Sequence, residues 1–256
     1  MNKQKNRKLV IASMLGAITV VLGLTPLGFI PLGFISATTM HIPVIIGAIL
    51  EGPVVGMAVG LIFGLSSLFN AITRPTPISV VFYNPLISIL PRILIGLFSY
   101  YVYKAASKID YQKSKKLSYG VWAVIIALLC YLLFKNISSG ESTVLAISLN
   151  VVLLIIAIVM VYLLNRKDSN LAITLGAFVG SMTNTIFVMG GIYFLYAAKY
   201  AEIVGRPLEE AGAAVMSVVV TSGIPEAIIS VIITTAVVNA VNLSRGKSVT
   251  SSQHNE

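Results

Sequence analysis

Apolar residues gather in runs along this chain, parted by short polar or basic segments, and several runs are long enough to cross a bilayer. A spanning helix needs roughly 20 mostly apolar residues. The runs predict eight helices, at Lys8–Leu24, Met40–Leu50, Pro53–Phe69, Asn84–Tyr103, Leu117–Phe134, Thr143–Leu164, Leu171–Tyr196 and Ala214–Val241. The second is short, and two forms fit it: a full helix extended back into the apolar loop before it, or a half-span packed inside the protein. The expected fold class is an all-α integral membrane protein with eight spans.

Composition fixes the solvent, because 57% hydrophobic and 11% charged residues do not suit a soluble domain of 256 residues. The net charge of +9 then reads as orientation, not as a nucleic-acid partner, since Lys and Arg collect in cytoplasmic loops. With the N-terminus inside, the inner segments hold Lys3, Lys5, Arg7, Lys8, the group Lys104, Lys108, Lys113, Lys115, Lys116, then Arg166, Lys167, Arg245 and Lys247. The outer loops hold only Arg74, Lys135, Lys199 and Arg206. Both termini are therefore expected in the cytoplasm. An even number of spans is favoured, because removing one would put the basic loop and the basic N-terminus on opposite sides. The opening MNKQKNRK is read as a retained cytoplasmic end, since no small-residue cleavage pattern follows it. Cys130 lies in an apolar span with no partner for a disulfide or a thiolate metal cluster, and is expected to be packing.

The predicted organisation is a basic cytoplasmic N-terminus (1–7), four spans (8–103), a basic cytoplasmic linker (104–116), a helix pair (117–164), two further spans (171–241) and a polar, Ser-rich tail (242–256) expected to be disordered. The pair at 117–164 has few small residues and, Asn150 aside, little polarity, so it resembles peripheral helices. Elsewhere small residues line up at helical spacing. Gly56, Gly60 and Gly64 put a bare stripe on the third span, Gly176 and Gly180 do the same below Asn184, and Ala12 with Gly16 gives the first span a small-xxx-small face.

Candidate chemistry lies where lipid should forbid it: Arg92, the triplet Thr183, Asn184, Thr185, and Glu226 after Pro225. Ionisable and amide groups at bilayer depth face a bundle interior or a wet cavity. Counting from the outer helix ends, Arg92 lies roughly 12 Å down and Asn184 and Glu226 roughly 18 Å down, which lets the last two share a pocket. Arg92 has two readings, an ion pair with Glu226 or a contact to a carboxylate ligand, and both roles can coexist. Asn184 is equally readable as interhelical glue. His41 reads as a hydrogen-bonding group at a helix start and not as a metal ligand, since no second His or Cys lies within ligand spacing, so no metal site is expected. No serine-nucleophile elbow, zinc-protease helix or phosphate-binding loop is present, so no catalytic residue is assigned and active import would draw on ATPases from other chains. An aquaporin-like channel would repeat its Asn-Pro motif, whereas Asn84-Pro85-Leu86 occurs once. The rival class is a self-sufficient ion-coupled secondary transporter, although no internal repeat is visible.

Three runs, TTMHIPVIIGAILEGPVVGMAVGLIFG, NPLISILPRILIG and SMTNTIFVMGGIYFLY, resemble in order and spacing the substrate-binding S components of energy-coupling factor (ECF) vitamin transporters. The likeness covers Leu9 to Tyr103 and Ala172 to Val241. It implies a six-helix bundle that binds a water-soluble vitamin from outside and docks onto a transmembrane coupling subunit driven by two ATPases, in a bacterial cytoplasmic membrane. The pair at 117–164 departs from the family's six spans, and being even it preserves topology. By the same resemblance, Ala12 and Gly16 match the face that contacts the coupling subunit, with glycine where the family's second alanine is usual. The loops Thr25–Thr39 and Asn70–Tyr83 match lids over the vitamin. The implied substrate-binding set is Arg92, Asn184, Glu226, Asn84, Thr39, His41, Asn70 and Tyr83, with Thr38 beside it; interfacial anchoring by Phe29, Phe34 and Tyr83 is the other reading of these loops. No cofactor is expected in this chain, ATP being used by the partner subunits. The runs look most like the pantothenate and pyridoxine-related branch, which makes pantothenate the first choice over pyridoxine, hydroxymethylpyrimidine or cobalamin.

Overall fold

Helix dominates the computed structural model, which describes residues 3–25, 28–31, 36–139, 144–164 and 171–245. Its elements are α1 (Lys3–Leu24), a hairpin of β1 (Phe29–Pro31) and β2 (Ser36–Thr38), α2 (Ile42–Glu51), α3 (Pro53–Thr73), α4 (Ser79–Phe82), α5 (Pro85–Ser88), α6 (Leu90–Ala106), α7 (Tyr111–Ser139), α8 (Val144–Leu164), α9 (Leu171–Val204), α10 (Ala211–Val218) and α11 (Ile224–Ser244). Six helices are long and apolar enough to cross a membrane: Gln4–Leu24, Pro53–Thr73, Pro85–Ala106, Gln112–Ser138, Leu171–Val204 and Leu208–Ser244. The chain is thus a multi-pass membrane protein, with six such helices among the described residues where eight were expected. Ile42–Glu51 and, within α8, Asn150–Val159 are shorter apolar helices.

The short second helix has a local cause. Gly52 takes φ 98°, a left-handed conformation that suits glycine, and Pro53 sits in the first turn of α3, so α2 stops and the chain reverses at once. What lets a ten-residue helix stand in an apolar bundle is its position. Contacts to α1, α3, α6, α9 and α11 surround α2, and Ile42 through Ile49 are all buried. This is the half-span alternative, a helix screened from lipid by its neighbours.

The glycine stripe of α3 sets the spacing of the site wall. A Cβ at Gly56 would lie 2.6 Å from the Ala48 Cβ and 3.0 Å from the Gly96 Cα, one at Gly64 would lie 2.7 Å from the Ile89 Cα, and one at Gly60 would strike the backbone carbonyl of Arg92. The bare face of α3 therefore lies directly on the backbone of α6, the close approach that small residues permit between membrane helices. On α9, Gly180 faces Ser99 and Ile45 and Gly176 faces Ser99 and Tyr103, which draws that helix onto α6 and α2 in the same way.

Some sequence expectations change here. α7 and α8 pack chiefly on each other, burying Trp122, Leu129, Asn136, Asn150, Leu153 and Ala157, with lighter contact to α9 and α11. Cys130 lies on the exposed face of α7, not in packing. Asn242 to Ser244, expected in the tail, instead continue α11. Residues 246–256, with Lys247 and His254, lie outside the described residues, as do Arg166, Lys167, Pro26 and Phe34. The apolar loop after α1 carries the antiparallel hairpin, with Phe29 opposite Thr38, and β2 contacts α11.

Candidate functional site

At the hairpin end of the bundle a cavity of about 660 Å³ opens between α3, α4, α6, α9 and α11. Its walls include Phe63, Ser67 and Asn70 from α3, Phe82 from α4, Arg92 from α6, Asn184, Thr185, Val188 and Met189 from α9, and Ser222, Gly223 and Glu226 around the start of α11, with Thr38 and Met40 from the hairpin side. The volume falls within the usual range of small-molecule sites, roughly 300–1,000 Å³.

Arg92 owes its pose to a proline. Pro91 has no N–H to give to the carbonyl four residues back, which frees Ile87 O. Arg92 Nη1 donates to that oxygen. The guanidinium carbon lies 5.3 Å from the Phe63 ring centroid and 5.6 Å from that of Phe82, so two aromatic faces hold the cation in a desolvated slot. Its Nε has no hydrogen-bond partner among the described residues, so this planar donor fork, 6% exposed, keeps capacity for an anion. No ion pair joins Arg92 to Glu226 among the described residues.

The opposite wall is made by an irregular helix. α10 runs into a π-helical turn at Val219–Gly223, and Pro225 lies in the first turn of α11. Such wide turns leave backbone groups exposed and occur often at functional sites. Here the turn places Ser222 and Gly223 at the cavity and sets Gly223 against Thr185, whose Cγ2 would lie 2.7 Å from a Cβ at that position. Glu226 follows three residues after Gly223, and its Oε1 accepts the backbone N–H of Thr38 at 3.0 Å. The carboxylate thereby ties the hairpin to α11 while still lining the cavity. Asn184 Oδ1 and Thr185 Oγ1 have no hydrogen-bond partner among the described residues, whereas Thr183 donates to Val179 O at 2.7 Å and does not line the cavity.

The remaining expected residues divide. Asn70 lines the cavity, its Nδ2 donating to Gly23 O at 3.3 Å while Oδ1 is unpartnered among the described residues. Asn84 does not; it caps α5 by accepting from Leu86 N at 3.0 Å and donates through Nδ2 to Tyr196 Oη at 3.4 Å. Tyr83 is exposed, and Thr39 is buried beside the cavity without lining it. His41 is fully buried at the head of α2, with neither ring nitrogen hydrogen-bonded among the described residues. Ala12 and Gly16 are buried, and a Cβ at Gly16 would collide with Ile62, so that small face is occupied by α3.

Sequence reasoning missed two features. Phe63 and Phe82, the aromatic slot, look like ordinary core residues; only Pro91 four residues after Ile87 hinted at the freed carbonyl. The second is at the other end of the bundle, where the buried Glu51 carboxylate receives Arg7 at 2.7 Å and Arg245 at 2.9 Å, joining the ends of α1, α2 and α11.

A largely apolar cavity with a few inward polar groups, sunk in a multi-helix membrane bundle, defines a receptor for a small solute. The chain belongs to the ECF transporter, substrate-specific component family, whose model matches residues 7–134 and 116–238. It is 26% identical over 228 residues to the pantothenic acid transporter PanT of Lactococcus lactis subsp. cremoris (strain MG1363), covering 84% of this chain and 82% of that protein. It is also 39% identical over 104 residues to the pantothenate transporter PanT of Leuconostoc mesenteroides subsp. mesenteroides, covering 38% of this chain and 50% of that protein. The protein is therefore the substrate-binding subunit of a transporter.

Proposed function

We propose that this chain captures pantothenate from outside a bacterial cytoplasmic membrane and docks onto an ECF transmembrane coupling subunit whose two ATPases drive import. The observation that carries the reading is Arg92, a buried guanidinium with free donor capacity in a solute-sized cavity, where a ligand carboxylate completes its hydrogen bonds. The names of the two relatives support pantothenate in particular. The end bearing Arg7, Lys104 and Arg245 faces the cytoplasm by the positive-inside rule, which leaves the hairpin and cavity outside. In this topology α8 counts as a further span, and the short α2, embedded inside the bundle, carries the chain back to the cytoplasmic end. Exposed small residues of α1 beside Ala12 and Gly16, namely Ser13 and Ala17, carry the docking face at the surface.

Calorimetry of the purified chain against a panel of pantothenate, pyridoxine, hydroxymethylpyrimidine and cobalamin tests the substrate, with pantothenate expected to bind most tightly. Uptake by cells is expected only when the coupling subunit and ATPases are co-expressed. Gradient-driven uptake by this chain alone overturns the reading in favour of a secondary transporter.

A further inference from the structure

Charge is not spread evenly round the cavity. The charged side chains that line it are Arg74 and Arg92, on the α3–α6 side, and Glu226 on α11. Arg92 is buried, so its field is little screened, whereas Arg74 is exposed at the rim. On the α9–α11 side with Glu226 the other polar side chains are the uncharged Asn184, Thr185 and Ser222, with Asn184 Oδ1 and Thr185 Oγ1 unpartnered among the described residues. The cavity thus has a cationic wall and a wall on which one carboxylate stands among uncharged amide and hydroxyl groups. The second wall suits hydroxyl donors, because a carboxylate and an amide oxygen accept hydrogen bonds.

Across such a site a ligand with one anionic end has one favourable orientation: its anion on Arg92, its other end against Glu226 and Asn184. A ligand with an anion at each end has none, since either orientation sets a negative group against the Glu226 carboxylate in a desolvated space. We infer that this cavity takes a mono-anionic solute with an uncharged, hydroxyl-bearing far end and rejects the same solute phosphorylated there, Glu226 being the specificity-determining residue. The inference rests on the pantothenate reading, in which the carboxylate lies at one end of the molecule and the hydroxyls at the other.

Calorimetry on the full chain in detergent tests this with pantothenate, pantothenol (the carboxylate replaced by an alcohol) and 4′-phosphopantothenate. Wild-type protein is expected to bind pantothenate at least about a hundredfold more tightly than the phosphorylated form, the scale set by a like-charge clash inside an interface. Glu226→Gln keeps an oxygen acceptor for the Thr38 N–H, so the hairpin contact survives. It is expected to weaken pantothenate by no more than about tenfold while narrowing the discrimination to about tenfold or less. Arg92→Gln is expected to bring pantothenate down to the level of pantothenol, which assigns the carboxylate to that wall.

Wild-type protein that binds pantothenate and 4′-phosphopantothenate alike overturns the inference and leaves the pantothenate reading standing. Discrimination that persists in Glu226→Gln also overturns it, because the exclusion is then steric. Wild-type protein that binds none of the three probes overturns the pantothenate reading, and this inference with it.

Discussion

Glu51 and Glu226 are both buried acids on the helices of one bundle, yet the protein treats them in opposite ways. Glu51, at the basic end, receives two guanidinium groups, from Arg7 and Arg245, on one oxygen. Glu226, at the cavity end, receives a single backbone N–H from Thr38 and faces open volume. The same contrast separates the arginines: those at Glu51 are paired, while Arg92 has a carbonyl, two rings and an unpartnered Nε. A buried charge whose partners come from the protein stabilises the bundle; one left with spare hydrogen-bonding capacity beside a cavity is set for a ligand.

Three substitutions sharpen or break that contrast. The largest effect is expected from Arg92→Ala, which should lower pantothenate affinity by about 1.5–3 kcal/mol, the value of a hydrogen bond to a charged group, as read by calorimetry. An unchanged affinity would take Arg92 out of the site and dissolve the distinction between the two ends. Gly60→Ala comes next. Its methyl group meets the Arg92 carbonyl, so the helices must part, and thermal unfolding should show a loss of about 1–3 kcal/mol from overpacking together with weaker binding. If stability falls while affinity holds, the α3–α6 spacing does not position Arg92. The smallest effect belongs to Glu51→Gln. Arg7 is 56% and Arg245 25% exposed at the side chain, and solvent screens both, so about 1 kcal/mol of stability should be lost with pantothenate affinity unaffected. A fall in affinity would mean that the two ends are energetically coupled.

How much of this was legible beforehand varies residue by residue. The stripe of Gly56, Gly60 and Gly64 announced a tight helix contact, because spacing alone fixes which residues share a helix face. That the contact was with the backbone of α6, at Arg92 itself, was not visible, since nothing in α3 names its neighbour. Arg92, Asn184 and Glu226 stood out as polar groups inside apolar runs, and all three line one cavity. Asn84 had the same apparent credentials but caps α5 instead, because its side chain reaches Leu86 N two residues on. Glu51 drew no attention, as a lone acid at the end of an apolar run looks like an ordinary interfacial charge until α1 and α11 bring their arginines to it.

The chain by itself determined its solvent and most of its helices, because these depend on local sequence: run length and the spacing of apolar residues. Only the tertiary structure decided that α2 is a short central helix sheathed by five others, which charges are paired and which face the cavity, and that a π-helical turn carries Glu226 to its wall. Those outcomes depend on the helix that comes to lie alongside, and a buried polar group becomes structural or ligand-binding according to whether that neighbour completes its hydrogen bonds.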